Sequence, residues 1–177
     1  MLSRIDIRKI IIAHYGSLSS LNSKGISFSD IFLFIIVPIL ISFGLTYNNI
    51  SIQNQVPNLI TAMSILAGFL FNLLAIIHTS LGKIKQRVKN KNEEKNLIKF
   101  RFANEIHANI SYNILVALFL IIFLVIFAFD IKFNNISFSC LFTDSLNFIC
   151  LFLLSQFILN LLMILNRIYI LLDKEDD

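Results

Sequence analysis

Charge is scarce in this sequence: only 15% of its 177 residues are Asp, Glu, Lys or Arg, against about 25% in soluble globular domains. Tryptophan is absent, and there are two cysteines, two prolines and five glycines. Two cysteines cannot staple a disulfide scaffold, and Cys140 and Cys150 lack the CxxC spacing of a zinc site. The three histidines, His14, His78 and His107, stand singly and form no HExxH motif. There is no GxSxG elbow, no glycine-rich phosphate loop and no Cys–His arrangement. These absences argue against an enzyme and against a bound metal or cofactor.

What the chain has in quantity is apolar residues, 56% by count, which excludes a disordered polymer and points to an integral membrane protein. Four stretches approach the roughly 20 apolar residues that a bilayer crossing needs: 31–47, 58–79, 109–129 and 145–172. None contains Asp or Glu, and Arg167 is their one cation. The expected fold is therefore all-α: a polytopic bundle of four transmembrane helices in two antiparallel hairpins. Residues 1–30 would form a cytoplasmic N-terminal segment, 31–172 the membrane domain and 173–177 an acidic tail.

The basic residues orient these spans. Four precede the first stretch, none lies between the first and second, eight lie between the second and third, and one lies between the third and fourth. Positive residues are retained in the cytoplasm, so both termini and the 80–108 loop are expected inside, in a cytoplasmic (inner) membrane. Tyr47, Tyr112 and Tyr169 fall near expected boundaries, where amphipathic rings prefer to lie. The net charge of +4 is then a topology signal and not a nucleic-acid footprint, because the basic residues bracket spans instead of sharing one surface. Residues Ile10–Ala13 are too short an apolar run for a signal peptide.

Local signals refine this layout. Residues 4–15 suit a short amphipathic helix resting in the headgroup layer, followed by the Ser- and Gly-rich linker 16–25. Ser27 or Ser29 is expected to cap the first span, and Pro38 to kink it. Within 80–108, Ile84 and Val88 continue the second helix inward, and Asn90–Asn96 carries no apolar residue and reads as a turn. Beyond it Ile98, Phe102, Ile106 and Ile110 recur every four residues, a helical face. Asn48-Asn49-Ile50-Ser51-Ile52 and Asn134-Asn135-Ile136-Ser137-Phe138 form a faint echo, a mark of two related hairpins or, better, of chance in a chain rich in Ile, Asn and Phe.

Three groups of residues are candidates for function. Thr61, Ser64, Gly68, Asn72, Ala75, Thr79 and Gly82 share one face of the second span, either as a buried helix–helix seam or as the lining of a water-filled path in an oligomer. Gln156 and Asn160 share a face of the fourth span with Arg167. Arg101, Glu105, Asn109 and Asn113 form a ladder at steps of four. With Arg167, Asn72 and Asn160 they are expected to make a polar cluster at the inner boundary. Arg167 is otherwise free to snorkel. Lys83, Lys85, Arg87 and Lys89 are candidates for contact with lipid or with a partner.

The expected function is an oligomeric channel or membrane-permeabilising effector. The alternative is a membrane anchor or sensor subunit that docks a soluble cytoplasmic protein through the 80–108 loop and the tail. In layout alone, the chain is similar to small multi-pass effectors of bacterial antiviral defence systems. That similarity covers no motif and implies no residue roles.

Overall fold

The structure, a computed structural model, describes residues 7–17, 32–90, 94–129 and 136–173. Among them there is no strand. Helix α1 spans Ile7–Ser17, α2 Val37–Tyr47, α3 Val56–Asn90, α4 Glu94–Ala128 and α5 Ile136–Asp173. Three segments, Gln53–Gln86, Leu97–Ala128 and Ser139–Leu171, are long and apolar enough to cross a membrane. Among the described residues the fold is all-helical, with three helices that could span a membrane. The expected cap residues Ser27 and Ser29, the linker 18–25 and the tail 174–177 lie outside the described residues.

The chain divides into two compact units, to both of which α3, α4 and α5 contribute. The first, here the α1 unit, comprises residues 1–27, 69–114 and 160–177; the second, the α2 unit, comprises 28–68 and 115–159.

The expected first span takes a different form from its neighbours. Its described helix covers Phe32–Tyr47, shorter than the three long segments, and opens with a π-helical turn, Phe32–Ile36, before α2 begins. Pro38 is the second residue of α2, not a residue deep within it. A ring without N–H is tolerated in the first turn of an α-helix, so the irregularity is displaced into the wider turn that precedes it. Ser42, buried, donates to the Pro38 carbonyl at 2.7 Å.

Helix α2 ends in a Schellman motif. Ile50 N–H reaches Leu45 O at 3.0 Å, Asn49 N–H reaches Thr46 O at 3.0 Å, and Asn49 takes a positive φ of 55°. The loop is then clipped from α5 within the same unit. Asn147 Nδ2 donates to Ile50 O at 2.9 Å, and its Oδ1 accepts from Ile52 N–H at 3.1 Å. The rest of this unit's core is mostly apolar, with Phe34, Val56, Met63, Leu120, Leu124, Cys150 and Phe157 buried beside Ser42 and Gln156. Cys140 is exposed, and both cysteines are free thiols.

The stretch 80–108, expected as two helix extensions around a polar turn, is helical where it is described: α3 continues to Asn90 and α4 begins at Glu94. Ile98, Phe102, Ile106 and Ile110 all lie on α4, with Ile106 and Ile110 fully buried. Helices of 35, 35 and 38 residues exceed the roughly 20 that a crossing requires, so each has length to spare beyond an apolar core.

Asn147 carries both hydrogen bonds that hold the 50–52 backbone. Asn147→Leu should leave the Ile50 carbonyl and the Ile52 amide unpaired and destabilise the protein by about 1–3 kcal/mol. Thermal unfolding and protease cleavage at 48–55 test this, and cleavage no faster than in the parent would contradict it.

Candidate functional site

The polar residues of the α1 unit converge on the end of α1. Helix α1 carries one buried pair, His14 and Ser17, one turn apart, while Ile12 is 70% exposed. An interfacial helix resting on headgroups accounts for the outward Ile12 but not for a buried histidine. Beside that outward face, α1 docks on protein through its last turn. His14 Nδ1 donates to Asn109 Oδ1 at 2.8 Å, and its ring stacks on Tyr112 with centroids 3.9 Å apart and planes 4° from parallel. The Ser17 hydroxyl lies 2.7 Å from Asn109 Oδ1 and 2.7 Å from the His14 carbonyl oxygen, sharing one proton between them. Tyr112 is therefore an aromatic platform for His14 as well as a ring near an expected boundary.

Arg167 joins three helices. Its Nη2 donates to the Ser17 carbonyl oxygen at 2.8 Å and its Nη1 to Glu105 Oε2 at 3.3 Å. The first bond places a cation on the terminal carbonyl of α1, where the helix dipole favours positive charge. The second is an ion pair whose side chains are 17% and 22% exposed. It is therefore shielded well beyond an ordinary surface pair. Arg101, 62% exposed, adds a contact of Nε to Glu105 Oε1 at 3.5 Å. Arg167 is thus an anchored residue and does not snorkel.

Burial holds the His14 imidazole neutral. Desolvation lowers its pKa from 6.5 to about 4, the Asn109 hydrogen bond opposes that shift, and the nearby Arg167 charge adds to it. With its proton on Nδ1, the neutral ring turns an unpaired Nε2 into the interior. It is not alone. Asn109 Nδ2 and both side-chain polar atoms of Asn113 and Asn160 are also buried without a partner among the described residues.

The remaining candidates are distributed differently. The structure brings Arg101, Glu105, Asn109 and Arg167 together and buries Asn113 and Asn160 in the same unit. Asn72 is exposed on α3 and makes no hydrogen bond to them. Gln156 is buried in the α2 unit. On α3, Thr61, Ser64, Gly68, Asn72, Ala75, Thr79 and Gly82 are all exposed, whereas Val56, Met63, Ala67, Leu70 and Ile77 are buried. At 100° per residue the two sets are centred roughly 140° apart around the helix. The small and polar face is thus not a seam among the described residues. Lys83 and Lys85 are exposed, and the side chains of Arg87 and Lys89 lie outside the described residues. His78 and His107 face each other with ring centroids 5.9 Å apart.

Sequence reasoning missed His14 and Ser17. The one signal that marked them was their i, i+3 spacing, which puts both on one face of α1. No known protein family, no curated protein and no solved structure matches the chain.

Two outcomes follow for α1. Docking requires neutral His14, whose docked pKa lies below its free value. Docking is therefore fully favourable above about pH 6.5 and is lost as pH falls toward 4. The change, of order 3 kcal/mol, should appear as rising protease sensitivity of α1 at low pH, a rise that His14→Gln flattens. Reversing the Arg167–Glu105 pair tests the other contact. Glu105→Arg and Arg167→Glu should each weaken docking by about 2 kcal/mol, and the double reversal should recover only part. The restored pair still leaves a carboxylate facing the Ser17 carbonyl. Full recovery would show that the bond to Ser17 contributes nothing.

Proposed function

We propose that the chain is a four-span membrane protein that assembles with copies of itself to open a water-filled path. In this reading the three long helices are joined by Phe32–Tyr47 as a fourth, shorter crossing. The basic residues hold both termini and the α3–α4 turn in the cytoplasm, and the membrane is the cytoplasmic one.

The observation that carries the proposal is the outward position of the small and polar face of α3. Thr61, Ser64 and Thr79 donate to the carbonyls of Pro57, Ile60 and Ala75 on their own helix, so their hydroxyls need nothing from outside. Asn72 is different: it is exposed and makes no hydrogen bond among the described residues. A primary amide turned toward hydrocarbon is costly. The same amide facing a second copy or water is satisfied, and the small neighbours let helices approach closely. The unpartnered buried asparagines Asn113 and Asn160 support a wet interior as well, since buried polar atoms of this kind normally pair with ordered water.

Exposed Lys83, Lys85 and Arg101 favour a second reading, an anchor that holds a soluble cytoplasmic partner on its basic surface. Conductance of the purified full-length chain in planar bilayers separates the two. Channel events are expected for the parent, and Asn72→Leu, which removes about 1 kcal/mol per interhelical contact, should abolish them. Ile65→Leu, on the same helix, should not. A bilayer that stays silent at every voltage would overturn the path and leave the anchor.

A further inference from the structure

A cleft of about 310 Å³ opens in the α1 unit, lined by His78, Gly82 and Lys85 of α3 and by Phe100, Asn104 and His107 of α4. Each set is spaced i, i+4, i+7, so each helix presents one face to the cleft. The facing imidazoles close one end. Counting outward from that pair, Gly82 falls level with Asn104, and Lys85 with Phe100. The cleft therefore has a rung of two imidazoles, a rung with an amide beside an absent side chain, and a rung with an ammonium beside an aromatic ring. At Gly82 an added Cβ meets no atom within 4 Å, so the glycine leaves room that a larger residue would occupy.

We propose that this cleft holds the phosphate group of an anionic membrane phospholipid. The lining offers hydrogen-bond donors from His78, His107, Asn104 and Lys85 and includes no carboxylate. That charge balance selects an anion. A divalent metal would find only two imidazoles beside a repelling ammonium, and no group of three or more His, Cys, Asp or Glu suited to a metal occurs among the described residues. Leu81 and Phe100 give the cleft apolar wall as well, which suits the glycerol and first acyl carbons of a lipid better than a fully hydrated inorganic ion. Its place also fits: Lys85 is one residue from the end of the apolar segment Gln53–Gln86, where a headgroup lies. Basic pockets between transmembrane helices at the cytoplasmic surface recognise headgroups in this way.

The inference rests on the membrane reading above, and its test separates the two. The full-length chain, extracted in mild detergent, is mixed with phosphatidylglycerol or with phosphatidylcholine of the same acyl chains, and bound lipid is counted by native mass spectrometry. Phosphatidylglycerol should be retained preferentially, and Lys85→Gln should lower its retention about fivefold. Gly82→Leu should lower it comparably while leaving every charge in place, with unchanged helix content by circular dichroism. Equal retention of both lipids, or phosphatidylglycerol retention that neither substitution changes, overturns the site. Displacement of phosphatidylglycerol by inorganic phosphate, with no lipid preference left, also overturns it, in favour of a free-phosphate site. Alkaline carbonate washing of membranes provides the separate control. A chain that resists extraction yet shows no lipid preference loses only this site, whereas a chain that is extracted loses the membrane reading itself.

Discussion

The cost of leaving a polar group unpaired in apolar surroundings organises this molecule more than any single packing contact. A buried donor or acceptor with no partner costs about 1–3 kcal/mol, comparable to what burying a whole aliphatic side chain contributes. The chain meets that cost in three ways. Hydroxyls are returned to their own helix, as Ser42, Thr61, Ser64, Thr79 and Ser80 donate to carbonyls four residues back. Irregular backbone is satisfied by one placed amide, Asn147, which both donates and accepts at the 50–52 loop. Helix ends are satisfied by charge, as Arg167 takes the last carbonyl of α1. Each device involves a residue whose identity cannot be exchanged for another of similar size, because geometry and donor count are both used.

The apolar runs were legible in the sequence because length and charge depletion need no tertiary context. A stretch of some 30 residues with little charge has few folded alternatives to a long helix. The helical continuation through Ile98, Phe102, Ile106 and Ile110 was legible for the same reason, since a period of four belongs to the helix alone. Tertiary pairing was legible only where chemistry narrowed the choices: one cation in the fourth apolar stretch, and one acid, Glu105, one turn before the third. Nothing of that kind marked His14. A lone histidine in a short amphipathic segment has many environments open to it, and its role comes from where α1 folds back, over residues that carry no periodic signal. The burial of the α3 face was equally undetermined, because small and polar residues at helical spacing describe a seam and an exposed surface equally well. Only the position of Met63, Ala67, Leu70 and Ile77 on the opposite side settles which it is within one chain.

The docking of α1 illustrates how a modest number of contacts can produce a cooperative element. Eleven residues make a helix too short to be stable alone in water. Its stability has to come from what it touches, and its described polar contacts are concentrated in the last turn. His14 supplies a neutral donor, Ser17 a shared hydroxyl and a carbonyl, and Asn109 accepts from two side chains at once. Because Arg167 also pairs with Glu105, a change at any one of these residues alters the electrostatics of the others, and their contributions should not add.

The α3 face poses the reverse problem, since there the polar groups point outward. Its hydroxyls are already satisfied internally, and its glycines and alanine carry nothing polar on their side chains. The cost of exposing this surface to hydrocarbon therefore falls almost entirely on Asn72. A single unpaired amide is a small term for a soluble protein, where water supplies its partner. In lipid no such partner exists, and the proposed association with a second copy or with water is what would supply one. The same residue would be unremarked on a soluble helix. On the proposed membrane reading it gives an otherwise closely approachable face a reason to meet protein or water instead of acyl chains.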